Sequence, residues 1–533
     1  MIRLLLSAKV KQYFGHVRRS PRSVFSLVTF YLLWTFVVGA LALFLRFLGS
    51  SALGGVSGAL EVLSLVTVTS MLGIGAFLGT RGGVTAFPYE VEFVLTSPVR
   101  PHVFLLSDLA FQVMLLSLYS VPSSLVAISV LTYPRHLAYL PTAALTYLTA
   151  ILMAAMTSHI LGVSRAVVGD RASRATGWAV MGLMVLPVVL LAAGIDSPPW
   201  MAYHPVQALA LLLAGDSSRL PVVSLYLALL VAAYAVLSRA RFYTAVSPLL
   251  MTVLMEPPRR MPRYLRIPGV LSASIGLVGR GGLWWTMYAL HLTRISREGS
   301  LWTGAMVLAF LTLVNSAIPR LTGFGSFPRL AELSMVAMYT PLLPALLAIN
   351  WNVSERRNTW YISVTGDALR SYVGTLPLSY LTVTVAFSGL LYALISLGAE
   401  EAPFLLVDSL LLFAMSSFGS LLSVAISVSS RVATSPLSLG SLLYVLFPML
   451  GSALLSLPVV VVRVLYPAPD VVSPVLLAGL CVYVVSASAL LWRVVTSSGP
   501  RYLREFQEPN RPTRRGRSAS ASPCTPPVRT PGP

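Results

Sequence analysis

Residues 403–428 read PFLLVDSLLLFAMSSFGSLLSVAISV, and Asp408 is the only charged residue among them. The run is continuous and shows no polar–apolar alternation. A helix of about 20 residues is as long as a bilayer's hydrocarbon core is thick, and it bonds its own backbone amides. The stretch therefore reads as a membrane-crossing helix. Comparable runs occur at about 24–45, 57–78, 109–131, 137–162, 176–195 and 220–238, and again at about 301–318, 333–351, 376–398, 439–458 and 474–495. Unbroken runs of this kind weigh against a closed barrel, whose strands alternate. The expected fold is an all-α integral membrane protein of about 12 transmembrane helices.

Composition agrees with this. The 533 residues are 56% hydrophobic and 11% charged, and mean hydropathy is +0.79. A soluble domain carries about 25% charged residues. The net charge of +20 would suit nucleic acid, but the basic residues sit between apolar spans, where they set topology. Twelve spans place 32 Lys and Arg on the side of the termini and 6 on the other. This asymmetry predicts both termini in the cytoplasm, in a multi-pass protein of the plasma membrane with the lipid bilayer as a partner and no nucleic acid. Arg3, Lys9, Lys11, Arg18, Arg19 and Arg22 precede the first span. That span is long enough to read as an anchor, so no cleavable signal peptide is expected.

The chain divides into two similar parts. Leu6, Val10, Phe14 and Val17 share one face of a helix before the first span, with Lys9, Gln12, His16 and Arg19 on another. Trp284, Tyr288, Leu292 and Ile295 repeat the apolar spacing 278 positions later, with His291, Arg294 and Glu298 on the polar face. Each half thus opens with an amphipathic helix, at about 4–18 and 282–296, suited to lying along the membrane surface. The expected domains are 1–240, a first six-helix half; 241–280, a cytoplasmic linker; 281–496, a second six-helix half; and 497–533, a basic tail rich in Pro, Ser and Arg. The tail lacks the aliphatic residues needed to offset ordering entropy and is expected to be disordered. Trp200–Gly215 and Val459–Pro469 are apolar but too short to span. Each suits a re-entrant segment or a short surface helix.

Each half also carries a polar connector between its second and third spans: FPYEVEFVLTSPVRPHVFLLSDL at 87–109 and NVSERRNTWYISVTGDALRSYVGTL at 352–376. Both run from charged residues to an apolar-aromatic patch. Glu90 through Val99 (EVEFVLTSPV) resembles the signature loop of type-2 ATP-binding-cassette exporter permeases, and Glu355 through Thr359 (ERRNT) resembles the charged opening of that loop. The second loop departs from the pattern, with Val364-Thr365-Gly366 in place of Ser-Pro. The resemblance covers about 1–240 and 280–495. It implies six-span units, each preceded by an elbow helix, whose cytoplasmic loops dock a separate ATPase in two copies. By that resemblance the docking residues are Glu90, Glu92, Phe93, Arg356, Arg357, Trp360 and Tyr361. The aromatics would supply contact energy and the charges orientation.

The remaining chemistry is mostly negative. A P-loop needs a lysine after its glycines, and the only lysines are Lys9 and Lys11. ATP is therefore expected on a partner chain, with no cofactor or catalytic residue here. The six histidines form no metal-binding pattern. His159 reads best as a core histidine bonded to a neighbouring helix. Gly55-Val56-Ser57-Gly58 resembles the Gly-x-Ser-Gly of rhomboid proteases, with His159 as a conceivable base, but small residues before a membrane helix also serve packing. Cys481 lies in a span and Cys524 in the tail, so no disulfide framework follows. Glu61, Glu332, Asp108 and Asp408 all fall near span ends. The scarcity of mid-span charge weighs against the alternative function, a stand-alone secondary transporter; a membrane enzyme is a third possibility.

Overall fold

The computed structural model describes residues 1–19, 56–84, 99–132, 139–192, 198–239, 282–297, 339–359, 368–396, 405–429, 439–465 and 473–507, with isolated positions in 24–43, 301–310 and 333–337 and at 362. The helices are α1 (Ile2–Arg19), α2 (Val56–Arg81), α3 (Pro101–Thr132), α4 (Leu140–Val168), α5 (Asp170–Ala192), α6 (Pro205–Ala214), α7 (Leu220–Leu237), α8 (Gly282–Arg297), α9 (Leu342–Ser354), α10 (Ala368–Ser396), α11 (Leu405–Ser429), α12 (Leu439–Leu465) and α13 (Pro474–Gln507). Among the described residues there is no strand. Nine helices there are long and apolar enough to cross a membrane: α2–α5, α7 and α10–α13. The chain is thus a helical, membrane-embedded protein. These nine coincide with nine of the twelve expected spans. The spans expected at 24–45 and 301–318 are described only in part, helical at each described position, and of the span at 333–351 the later part is α9.

Both amphipathic helices form where the apolar spacing places them, as α1 and α8. α1 packs on α3, and α8 packs on α10. α4 is central to the first half, touching α2, α3, α5 and α7, and α11 touches α9, α10, α12 and α13 in the second. The two larger of the buried cores among the described residues include Leu65, Ile151 and Leu209 in one and Trp351, Phe418 and Leu503 in the other.

Small residues let α2 and α4 approach closely. Gly75, Gly79 and Gly83 recur every fourth position and face Ala154, Ser158, Leu161 and Gly162 of α4. A Cβ on Gly83 would stand 2.0 Å from the Ser158 carbonyl oxygen, and Gly83 has φ +69°. A Cβ on Gly162 would stand equally close to the Gly82 carbonyl oxygen. No other residue type fits either position without backbone movement.

The segment 199–214 is a hairpin inside the first half. A short 3-10 turn, Pro199–Tyr203, leads through His204 into α6. Val206, Ala208, Leu209 and Leu212 are buried, and α6 packs against α2, α4, α5 and α7. Its C-terminal end lies by the start of α4, where the Tyr139 hydroxyl donates to the Leu212 carbonyl at 3.0 Å. Its other end starts within the bundle, in a cavity also lined by Thr157 and Leu183. Of the two forms open to this segment, a surface helix is excluded by that burial. The counterpart at 459–469 differs: residues to Leu465 simply continue α12. There Arg463 meets Asp408 at 2.9 Å, both buried, and Tyr392 donates to the same carboxylate at 2.5 Å. Each charge that interrupts those apolar runs is paired.

α13 continues ten residues past the boundary expected at 497. Leu503 is fully buried in the second core, and Gly499 packs beside Val373 and Val428. The basic tail after 507 lies outside the described residues.

Candidate functional site

A buried polar constellation lies where α1 packs on α3. Phe104, Asp108, Phe111 and Gln112 occupy one face of α3, spaced i, i+4, i+7, i+8. Lys9 of α1 enters that face. Its Nζ is 2.6 Å from Asp108 Oδ1, with both side chains fully buried. The ammonium also lies 5.1 Å from the Phe104 ring centroid and 5.7 Å from that of Phe111, a cation–π enclosure. The other carboxylate oxygen is 3.2 Å from His159 Nε2 and accepts from Gln112 Nε2 at 3.0 Å. Gln112 also donates to the Gly83 carbonyl at 3.0 Å. His159 Nδ1 faces the Tyr234 hydroxyl of α7 at 3.4 Å. One carboxylate therefore joins α1, α3 and α4, and α7 joins through Tyr234. The close α2–α4 crossing at Gly83 and Ser158 is what brings His159, the next residue, into reach.

The sequence put Lys9 on a solvated face of α1. It is instead the most buried residue described in that helix. A charge at such a site needs a partner, since leaving it alone costs several kcal/mol. The partner is 99 positions away in sequence, so the spacing within α1 gave no sign of it. His159 is a buried histidine bonded to neighbouring helices, as its position suggested. Ser57 and His159 cannot form a dyad: Ser57 starts α2, and His159 lies beside the opposite end, about 37 Å away along the helix.

α8 has a corresponding anchor built from different residues. Arg294 NH1 is 2.7 Å from Glu355 Oε2, directly after α9. Tyr372 of α10 donates to the same oxygen at 3.2 Å and accepts from Trp351 Nε1 at 2.9 Å. His291 is buried with Nε2 3.0 Å from the Tyr372 carbonyl oxygen. A carbonyl only accepts, so the neutral ring carries its proton on Nε2. Burial, and secondarily the Arg294 charge, push the His291 pKa down to about 3.

Of the residues expected at a docking surface, Glu90, Glu92, Phe93, Trp360 and Tyr361 lie outside the described residues. Arg357 is within the turn Arg356–Thr359, whose backbone alone is described at that position. Arg356 is placed, and it does not face outward. It is 1% exposed. Its guanidinium donates to Asn352 Oδ1 at 3.0 Å and to the Ser427 and Val428 carbonyls at 3.3 Å each. Those carbonyls end α11 and lack intrahelical donors, so a buried cation there satisfies both hydrogen bonding and the helix dipole. Burial lowers the Arg356 pKa. It holds the start of the connector against α9 and the end of α11.

The two halves meet at a third feature. Phe310 packs directly on Gly73 of α2. Beside it lies an apolar cavity of about 460 Å³, lined by Ile74 and Phe77 of α2, Trp178 and Val185 of α5, and Met306 and Phe310. Among the described residues no group of three metal-binding side chains occurs. No protein-family model, curated protein or solved structure matches the chain.

Proposed function

We propose that the chain is the transmembrane permease subunit of an ATP-binding-cassette exporter, built as two six-span repeats, with ATP hydrolysed by two separate ATPase subunits. The substrate is unidentified. The observation that carries the reading is the pair of anchors. In each half an amphipathic helix is tied by a basic–acidic pair to the end of the bundle where the second-to-third-span connector emerges. Lys9 holds Asp108, just after the first connector, and Arg294 holds Glu355, at the start of the second. A force applied to either connector by a docked ATPase would move amphipathic helix and third span together. The matching helix pairings of the two halves support the repeat. The apolar cavity between α2, α5 and the segment around Phe310 suits a hydrophobic substrate passing between the halves. In this reading the termini are cytoplasmic, the bilayer is the plasma membrane, and Glu90, Glu92, Phe93, Arg357, Trp360 and Tyr361 meet the ATPase.

The test is native co-purification with transport assayed in reconstituted vesicles. An ATPase should accompany the chain, and Phe93→Ala with Trp360→Ala should release it while the permease stays folded. Absence of any ATPase, with transport driven by an ion gradient, would instead favour a secondary transporter. The buried Asp108–His159–Tyr234 group is the specific feature that favours that second reading, since carriers relay protons through such side chains.

A further inference from the structure

The start of α6 opens into a second cavity, of about 510 Å³, walled by α2, α4, α5 and α7. Its volume is that of a small-molecule site. Most of the wall is apolar, including Leu72, Met153, Leu183 and Leu230. Among the described residues no acidic side chain lines it.

One polar group stands out. His204, the residue that caps α6, lines the cavity and is 6% exposed. Neither ring nitrogen makes a hydrogen bond of normal geometry. Its polar interaction with the Leu183 backbone is a weak one and can occupy only one of the two nitrogens. A buried imidazole nitrogen without a partner is costly unless something supplies one.

The helix end adds to this. α6 has Pro205 at its first position and no side-chain cap. Its first turn leaves the amides of Val206 and Gln207 without intrahelical acceptors, and the positive end of the helix dipole lies at His204. An imidazole N–H turned into the cavity and the positive end of the helix dipole both favour an anion. Trp200 and Tyr203, also on the cavity wall, are 56% and 62% exposed. They form a rim open to the surroundings of the bundle, which for a membrane-embedded chain include lipid.

We propose that this cavity binds an amphiphile with one anionic head, a carboxylate or a phosphate, placed against His204 and the start of α6, with its acyl chain along the apolar wall. The site does not depend on the energy source, so it stands or falls separately from the ATPase reading.

The experiment uses the full chain in nanodiscs. Dibrominated stearate quenches tryptophan fluorescence at short range, and Trp200 reports on this cavity. The probes are dibrominated stearate, a phosphatidate with the same dibrominated chain, and dibrominated stearyl alcohol as the uncharged control. Saturable quenching that disappears in Trp200→Phe is expected, with the carboxylate or the phosphate binding about tenfold more tightly than the alcohol, a preference of about 1.4 kcal/mol. Whichever anion binds better identifies the source of the head group. His204→Leu should remove the preference while leaving alcohol binding unchanged, and His204→Gln should keep part of it. Equal binding of anions and alcohol by the wild-type chain, or no saturable component assigned to Trp200, would overturn the proposal. That comparison needs no variant at position 204, so poor folding of His204→Leu does not rescue it.

Discussion

Replacing Lys9 with Met tests whether α1 is part of the folded bundle or merely lies on it. Both members of the Lys9–Asp108 pair are fully buried, 2.6 Å apart. Breaking such a pair from one side costs about 3–5 kcal/mol, because a bare charge stays inside. In Lys9→Met the remaining carboxylate keeps Gln112 as a donor. That puts the loss at the low end, about 3 kcal/mol. Asp108→Leu should cost more, about 4 kcal/mol, since the Phe104 and Phe111 rings hold an ammonium less strongly than a carboxylate does. The double variant should cost less than Asp108→Leu alone. The coupling energy is then about 3 kcal/mol, near the top of the range for residues in contact. Unfolding of the purified chain in mixed micelles, titrated with SDS and followed by tryptophan fluorescence, gives the three differences. If the single effects add to within about 0.5 kcal/mol, as for independent sites, Lys9 is solvated and the anchor does not exist.

Three further expectations use other parts of the fold. Truncation after Ser497 should destabilise the second half by about 2 kcal/mol or more through loss of buried Leu503, whereas truncation after Gln507 leaves every described helix intact; equal membrane yields of the two would contradict the packing of the α13 end. Gly83→Ala should cost about 3 kcal/mol, combining a left-handed backbone with a clash against the Ser158 carbonyl, while Gly389→Ala, with open space around it, should be neutral in the same unfolding assay. His291 contributes a pH dependence of known sign. Its folded pKa of about 3 lies below the unfolded value of about 6.5, so the unfolded chain binds more protons between these limits. Stability is complete above pH about 6.5 and falls as pH drops toward 3; the melting temperature should fall less between pH 7.5 and 5 in His291→Asn than in wild type, and identical slopes would exclude His291 as the source.

What could be read from the sequence follows from the range of the interactions involved. A span is a local property, so nine of the described helices match their expected positions. The amphipathic helices were also legible, because four apolar residues at helical spacing define a face without reference to anything distant. Lys9 was misread for the converse reason: a lysine on a surface helix is normally solvated, and only Asp108 at distance explains it. The row Gly75, Gly79, Gly83 and the facing Ala154, Ser158, Gly162 both stand in the sequence, each at four-residue spacing. Neither row names the other. The boundary at 497 was drawn on composition, on a tail rich in Pro, Ser and Arg, but α13 runs through Pro500 to Gln507, and burial of Leu503 outweighs one missing amide. His204 is a single histidine before a short apolar run, and nothing local shows that α6 starts within the bundle.

On the proposed two-repeat reading, two arginines illustrate how similar packing survives low identity between the halves. At one end of the bundle, the C-terminal carbonyls of helices packed side by side need donors. In the first half Arg165, near the end of central helix α4, donates to the Thr80 carbonyl at the end of α2. In the second half Arg356, just after α9, donates to the carbonyls that end central helix α11. On that reading α2–α4 and α9–α11 are counterpart pairs, each packed together, yet the arginine comes from opposite members. A position-by-position alignment would score this as a mismatch. The physical demand is the same in both, a cation for carbonyls and dipole at a closely packed pair of helix ends. The anchors of α1 and α8 repeat the point, with Lys9 on Asp108 of α3 in one half and Arg294 on Glu355 after α9 in the other. What recurs between the halves is therefore the set of charges and donors that each junction requires. The residues that supply them are free to move from one side of the junction to the other.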